Sequence, residues 1–128
     1  MWTNGCFDCI HAGHIEMLEY ARGSGDRLVV GIDSDNRVKE LKGKSRPIHN
    51  QEQRKRVLES IKYVDEVVIF SSEVELLSSI EKCNASVIVV GSDYRGRRVV
   101  GEELAPVIFF ERIPELSTTR ILSGSFHV

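Results

Sequence analysis

Short runs of strand length alternate along the chain with amphipathic stretches. Four such runs cover residues 27–32, 66–70, 86–91 and 106–110, and a very short first strand closes at residues 3–5. The run at 27–32 is almost continuously apolar, which is typical of a strand buried on both faces of a parallel sheet. The pattern therefore predicts five strands.

Apolar residues at helical spacing fill the segments between these strands. Residues 14–22 form one predicted helix, which the sequence Gly-Ser-Gly at 23–25 ends, and residues 35–41 supply one or two further turns. Asn50 and Gln53 predict a capping box at the start of the next helix. The apolar residues assigned to the buried stripe of that helix are Val57, Leu58, Ile61 and Val64.

Two further helices follow from capping residues. Ser72 is placed to cap a helix over 73–83, and Ser117 is placed to cap a last short helix over 118–122. For the first of these, the residues predicted to face inward are Val74, Leu77 and Ile80.

Strands that alternate with helices predict an α/β fold. We expect a doubly wound, Rossmann-like domain with a five-stranded parallel sheet and helices on both faces. No internal repeat, low-complexity tract or linker interrupts the pattern. We therefore expect a single domain over residues 1–128, with a tail at 123–128 outside its core.

Composition narrows the functional classes. With 17 Lys+Arg against 19 Asp+Glu the net charge is −2, so extensive nucleic-acid binding is not expected. No apolar run reaches the roughly 20 residues of a membrane-spanning helix, and residues 1–5 do not resemble a signal peptide. The three cysteines cannot all pair within the chain. We expect a cytoplasmic protein.

Residues 3–14 (TNGCFDCIHAGH) hold the densest chemistry of the chain. A loop with Gly5 that follows a strand and leads into a helix presents backbone N–H groups and a positive dipole end to phosphate. His11 and His14 would point from the first helical turn toward such a ligand, and Gly13 would let a nucleotide approach closely. The segment therefore predicts a polyphosphate site.

Two other interpretations of this segment stay open. Cys6, Cys9, His11 and His14 are all capable of binding zinc, but they lie within nine residues, whereas zinc sites join two ligand pairs across a longer loop. We expect no metal bound by the protein and assign the cysteines to packing. Alternatively, the two histidines simply cap and pack the helix.

The same segment carries a family resemblance. The string resembles the opening signature of the cytidylyltransferase-like nucleotidyltransferases; its H-x-G-H element alone is shared with class I aminoacyl-tRNA synthetases. The resemblance implies that His11 and His14 hold the triphosphate of an NTP, with His14 stabilising charge on the α-phosphate. It also implies a set of nucleotide-binding residues, namely Thr3, Asn4, Gly5, Phe7, Asp8 and Gly13.

Residues 37–62 hold nine basic and three acidic side chains, a charge of +6 within a chain of −2. Most runs of charge are solvated helix faces, and some of these residues belong to one. Lys42, Lys44 and Arg46, however, lie in a loop after the second strand, on the side of the sheet where a ligand is expected. Cations on such a loop suit a phosphate-bearing substrate.

Further motifs narrow the resemblance. Residues 42–47, 52–54, 64–67, 91–94 and 99–101 resemble the adenylyltransferase domain of heptose 1-phosphate nucleotidyltransferases, and glycerol-3-phosphate cytidylyltransferases are similar over the same span. The resemblance implies phosphate contacts from Lys42, Lys44 and Arg54, with Arg46 as a further cation for the substrate phosphate. It places Gly91 and Asp93 beside the nucleotide.

The C-terminal motif resembles the R-x-x-G-I-S-T-T string of the cytidylyltransferases. Arg112, Ser117 and Thr118 match it, and the resemblance makes them nucleotide-binding, with Thr118 also catalytic. Glu115 stands where that motif has glycine. Hydroxyls at a helix N-terminus also serve as an ordinary cap.

We therefore expect an enzyme that transfers a nucleoside monophosphate from ATP or CTP, with Mg²⁺, to a small phosphorylated sugar or polyol. Because a phosphate monoester is mostly dianionic at neutral pH, no general base is required. The alternatives are a catalytically silent nucleotide-binding module of the same fold and, more remotely, a zinc-dependent nucleic-acid binder. The family resemblance also implies a homodimer.

Overall fold

Five parallel strands and four helices build the part of the chain that the structure, a computed structural model, describes: residues 1–92, 95–96 and 98–111. The sheet has the order β3-β2-β1-β4-β5, and all neighbouring strands are parallel. The predicted fold class is confirmed. In chain order the elements are β1 (Trp2–Gly5), α1 (Ala12–Gly23), β2 (Val29–Asp33), α2 (Asp35–Lys42), α3 (Gln51–Glu59), β3 (Glu66–Phe70), α4 (Glu73–Cys83), β4 (Ile88–Gly91) and β5 (Val107–Phe110).

Apolar side chains on both faces of the sheet form two core clusters. On one face, residues of α1 and α3 such as Leu18 and Leu58 pack with Val30 of β2. On the other face, Ile80 of α4 packs with Trp2 of β1. Helices therefore cover both faces, as the strand pattern predicted, because strands buried on both sides need an apolar partner on each.

The order of the strands creates a switch point beside β1. The chain runs outward from β1 to β2 and β3, and then crosses back to place β4 on the other side of β1. β1 pairs with β4 at Trp2 and Ile88, and the Thr3 hydroxyl donates to the carbonyl of Val89 at 2.7 Å. In a doubly wound sheet this is where a ligand-binding crevice opens beyond the carboxyl ends of the strands.

Local capping chemistry sets several boundaries where they were predicted. The Asn50 side chain accepts from the backbone N–H of Gln53, and the Gln53 side chain accepts from that of Asn50, which completes the capping box of α3. The Ser72 hydroxyl accepts from the Glu75 N–H at the start of α4. The helix over 73–83 and the strand over 66–70 have the predicted bounds.

The predicted buried stripes of α3 and α4 are partly wrong. Val57 is 51% exposed and Val74 is 76% exposed, while Leu58 and Ile80 are buried as expected. α3 ends at Glu59, so Ile61 and Val64 lie in the turn that follows it and contact the core from there. The face that α3 turns toward the sheet instead includes Arg54, which is buried.

Several element ends shift by one or two residues. α1 starts at Ala12 rather than at residue 14, because His11 is its N-cap, and β4 begins at Ile88. The predicted helix over 118–122 and the tail at 123–128 lie outside the described residues. Within the described part of the chain, no helix combines the length and the apolar character needed to cross a membrane.

Candidate active site

A cavity of about 210 Å³ opens at the carboxyl ends of the strands. Four neighbouring strands contribute to its wall, through Asn4 of β1, Asp33 of β2, Phe70 of β3 and Val90 of β4. Gly5 and Cys6 bring the start of the predicted phosphate loop to the same wall, as does Lys42 at the end of α2. The cavity therefore lies at the switch point, and predicted site residues from two distant segments line it.

Two opposite charges face this cavity from β2 and α2. Lys42 is partly buried, and burial lowers the pKa of its ammonium group, while the neighbouring Cys6 and Asp33 oppose that shift. Burial raises the pKa of Asp33, and a hydrogen bond from Arg37 Nε to its Oδ1 at 2.8 Å counteracts this. The cavity thus offers a cation for a phosphate beside a carboxylate able to accept from hydroxyl groups.

His11 and His14 form a reciprocal cap at the start of α1. Nδ1 of His11 accepts from the Gly13 N–H, and Nδ1 of His14 accepts from the His11 N–H, both at 3.0 Å. Their ring centroids lie 4.1 Å apart, and His14 is 2% exposed. When Nδ1 accepts, a neutral imidazole carries its proton on Nε2, so each ring is oriented with Nε2 as the donor. The capping interpretation is therefore observed, and it also fixes the tautomer that a phosphate contact needs.

The β1–α1 loop has two non-glycine residues in the left-handed region of backbone conformation. Phe7 has φ +52° and Cys9 has φ +59°. The Phe7 ring is buried and lies 5.8 Å from the ring of His14, centroid to centroid. Left-handed residues other than glycine store backbone strain that the surrounding packing must hold. Packing of Phe7 against α1 is one such restraint.

Asp8 ties this loop to the loop before α3. Its carboxylate is fully buried and accepts from the backbone N–H of Ile48 at 2.6 Å and of His49 at 3.0 Å, and Arg46 lies 3.4 Å away. Burial raises the pKa of Asp8, but these N–H groups and Arg46 outweigh burial and hold the pKa below its usual value. In the structure both side chains hold the two loops together. The substrate contact of Arg46 and the nucleotide contact of Asp8 stay predictions.

Arg54 occupies a structural position that its sequence context did not reveal. It is 1% exposed, and its Nη1 donates to the carbonyl oxygens of Cys6 at 2.9 Å and Asp33 at 2.7 Å. Nε donates to the carbonyl of His49, and Nη2 pairs with Asp35 at 2.8 Å. Four of its five N–H groups are therefore used within the protein. In the structure Arg54 holds the chain just after β1 and the end of β2 together. Its predicted phosphate contact stays a prediction.

The other predicted residues fall into three groups. Thr3 is buried, Gly91 ends β4, and the Asn4 side chain accepts from the Trp2 indole N–H at 2.9 Å. Lys44 is exposed. The predicted nucleotide contacts of Asp93, Arg112, Ser117 and Thr118, together with the glycine replacement at Glu115, lie outside the described residues.

Three charged residues at the cavity were not assigned a site role from the sequence. Asp33 could have been found, because it directly follows the apolar run of β2 at the edge where ligands bind. Arg37 belongs to the basic segment, and it pairs with Asp33 from the first turn of α2, across the Ser34 cap. Arg98, which pairs with Glu73 through Nη1 and Oε1, carries no local signal.

The predicted zinc alternative is not assembled by the fold. Within the described residues, one group of metal-capable side chains comes together, and it joins Cys9 to Asp8 and His49 rather than to Cys6, His11 and His14. The Nδ1 atoms of both histidines are instead occupied in the cap of α1.

Comparisons with known proteins bear on the family and the fold of the chain. Residues 2–123 match the family described as cytidylyltransferase-like. The chain is 45% identical over 123 residues to the bifunctional protein HldE of Campylobacter concisus, covering 95% of this chain and 26% of that protein. It is 55% identical over 101 residues to HldE of Koribacter versatilis, covering 79% of this chain and 21% of that protein. The chain thus spans about a quarter of the length of these relatives.

One solved structure supports the fold independently. The lipopolysaccharide core biosynthesis protein from Thermoplasma volcanium superposes with a TM-score of 0.67, at 23% identity, over 88% of this chain and 93% of that one. At this identity the likeness shows that the two proteins share a fold.

Proposed function

Because the chain belongs to the cytidylyltransferase-like family, we propose that it transfers a nucleoside monophosphate from an NTP to a small phosphorylated sugar or polyol and releases pyrophosphate. The predicted family and fold class are confirmed, and nucleotidyl transfer is the activity that goes with them.

One observation carries the proposal: the β1–α1 loop and Lys42 meet at the same cavity. Gly5 and Cys6 reach it from the loop that leads to His11 and His14, and Lys42 reaches it from α2. The N-terminus of α1 supplies a positive dipole end, and Lys42 supplies a full positive charge. A site with a cation on one side and a positive helix end near the other suits two phosphate groups that must be brought together despite their charge.

The reaction needs positioning and charge stabilisation more than proton transfer. A phosphate monoester has a second pKa of about 6, so the acceptor is already a nucleophile at neutral pH and attacks the α-phosphorus in line with the pyrophosphate leaving group. In this proposal His14 donates through Nε2 to an oxygen of the α-phosphate. Lys42 and the backbone N–H groups at the start of α1 counter the remaining charge.

Mg²⁺ is expected to accompany the NTP. Mg²⁺ prefers oxygen ligands and commonly binds through one or two carboxylates plus substrate phosphates. Among the residues that the structure describes, the carboxylate that lines the cavity is Asp33, whose Oδ1 already accepts from Arg37. If Mg²⁺ enters with the NTP, phosphate oxygens would hold it for the most part, Asp33 would be the candidate protein ligand, and the ion would supply charge neutralisation.

We propose heptose 1-phosphate as the first acceptor to test and glycerol 3-phosphate as the second, with ATP and CTP as the candidate donors. Support for the first comes from motifs at residues 42–47 and 91–94 and from the similarity to proteins named HldE. A homodimer and a cytoplasmic location also remain predictions. Sedimentation of the purified chain would test whether it is a homodimer.

Pyrophosphate release tests the proposed reaction. ATP, CTP, GTP and UTP are each combined with a panel of phosphorylated sugars and polyols, and the dephosphorylated forms of the same acceptors serve as controls. We expect release with one donor and one class of acceptor, and none with the dephosphorylated controls. If calorimetry detects NTP binding but no acceptor supports turnover, the chain is a catalytically silent nucleotide-binding module and the proposed activity is wrong.

A further inference from the structure

We propose that Asp8, Cys9 and His49 form a binding site for a single zinc-like divalent metal ion, distinct from the cavity where the nucleotide is expected. One carboxylate oxygen, the thiol sulfur and one imidazole nitrogen all lie within 4.8 Å of one another. The residues come from two segments about 40 positions apart, so their juxtaposition is a product of the fold and not of local sequence.

The donor set selects the class of metal. Zinc binds cysteine sulfur at about 2.3 Å, histidine nitrogen at about 2.0–2.1 Å and carboxylate oxygen at about 2.0–2.2 Å, commonly with three protein ligands and one open position. Tetrahedral ligands at such bond lengths lie about 3.3–3.8 Å apart, so shifts on the order of 1 Å close the group around an ion. Mg²⁺ and Ca²⁺ require oxygen ligands, and two of these three donors are not oxygen.

The surroundings of Asp8 are those of a supported carboxylate ligand. Oδ2 accepts from the Ile48 N–H at 2.6 Å and faces Arg46 at 3.4 Å, while Oδ1 accepts from the His49 N–H at 3.0 Å. A carboxylate has about four lone-pair positions, so one position on Oδ1 is left for a metal. Hydrogen bonds to the remaining positions orient a ligating carboxylate and are a common feature of metal sites.

Access and charge also suit an ion. His49 is exposed and Cys9 is partly exposed, and both line a cavity of about 470 Å³ that Phe7, Ile10 and Arg54 also border. This cavity gives an access route and room for a water molecule as fourth ligand. The Cys9 thiolate and the Asp8 carboxylate together balance the charge of a divalent ion. Arg46 lies at Oδ2 of Asp8, the oxygen that is not assigned to the metal.

A bound metal would add a further link between the β1–α1 loop and the segment before α3. The Asp8 hydrogen bonds already hold these segments together, so little ordering is needed on binding. Because an ion that binds the folded chain stabilises it by mass action, zinc should raise the melting temperature.

Titration of the metal-stripped full chain, purified without a histidine tag, tests the proposal. We expect one Zn²⁺ per chain by calorimetry, a rise in melting temperature with Zn²⁺ but not with Mg²⁺, and a thiolate-to-cobalt absorption band with Co²⁺. Cys9→Ala and His49→Ala should each weaken Zn²⁺ by more than about 100-fold, because loss of a supporting group alone costs roughly 10–100-fold. Cys9→Ala should also abolish the band.

Cys83→Ala is the matched control, because Cys83 is a partly buried thiol outside the group. It should keep the stoichiometry, the affinity and the cobalt band. His49 is exposed, so His49→Ala keeps the test informative if Cys9→Ala fails to fold. A cobalt band that survives in Cys9→Ala, unchanged Zn²⁺ affinity in His49→Ala, or no stoichiometric binding by the native chain would each overturn the proposal. None of these readouts requires nucleotide, so they are independent of the proposed transferase activity.

Discussion

Nη1 of Arg54 lies 2.9 Å from the carbonyl oxygen of Cys6, although 48 residues separate the two in the chain. The same nitrogen donates to the carbonyl of Asp33 at 2.7 Å. One buried guanidinium from α3 thus joins the chain just after β1 to the end of β2, which form two walls of the cavity at the carboxyl ends of the strands. Their spacing depends on a residue that does not line that cavity.

Arg54→Met should destabilise the fold strongly. The variant leaves the carbonyls of Cys6 and Asp33 without their buried donor, at about 1–3 kcal/mol for each unsatisfied group, and it removes the ion pair with the partly exposed Asp35. Urea unfolding followed by circular dichroism measures the loss. Arg56→Met, on the exposed part of the same helix, should change stability by less than about 0.5 kcal/mol. Equal stability of the two variants would contradict the buried role of Arg54.

Substitutions of His14 should separate capping from catalysis. His14→Glu keeps a side-chain acceptor at the third helical position, where glutamate completes a capping box, so its melting temperature should stay close to that of the native chain. Because an ionised carboxylate accepts hydrogen bonds but cannot donate one as the imidazole does, turnover should fall by about 10²–10³. His14→Ala should lose both the cap and the donor. Near-normal pyrophosphate release by folded His14→Glu would show that the histidine has no catalytic role.

Lys42→Ala should reduce kcat/KM by about 10²-fold with the phosphorylated acceptor, because it removes a partly buried cation that lines the cavity. Lys39→Ala is the natural comparison, since Lys39 lies on the same helix and is exposed. In steady-state kinetics, the kcat/KM of Lys39→Ala should stay within about twofold of the native value. If both substitutions reduce activity equally, a general effect of positive charge explains the loss better than a specific contact.

Asp65 should contribute to the acid sensitivity of the fold. A hydrogen bond from the Leu28 N–H at 2.7 Å, together with Arg22 at 3.0 Å, lowers the pKa of its carboxyl. Since the folded pKa lies below the unfolded value of about 3.9, the stabilisation is fully present above that value and disappears as the pH falls through the folded pKa.

Thermal unfolding between pH 7 and pH 2.5 tests this contribution. Asp65→Asn should melt lower than the native chain at neutral pH and lose less stability on acidification, so that the two curves converge at the acid end. Asp26→Asn, which changes an exposed carboxylate nearby, should parallel the native curve. Parallel curves for Asp65→Asn would contradict the prediction.

Features determined by neighbouring residues could be predicted from the sequence. The capping box of Asn50 and Gln53 spans three residues, and the cap of α4 by Ser72 depends on a similarly short span. The alternation of apolar runs and amphipathic segments likewise predicted the sheet and its helices, because burial on both faces requires apolar strands.

Features that depend on distant contacts could not be predicted in this way. Helical spacing could not decide which face of α3 meets the sheet, and so Val57 is exposed while Arg54 is buried. Three of the four partners of Arg54 are backbone carbonyls, which leave no trace in residue identity. Similarly, only the fold brings His49 beside Asp8 and Cys9.

The attachment of residues 48 and 49 to Asp8 has a consequence for redesign of this protein. An engineer who wishes to change the acceptor would exchange the cation-bearing loop at 42–49 and keep the phosphate loop. Such a graft would leave the buried Asp8 carboxylate without its N–H donors unless the new backbone supplies both, and an unsatisfied buried charge costs more than about 1–3 kcal/mol. The smallest transplantable module is therefore the loop together with residues 5–9, moved as one piece.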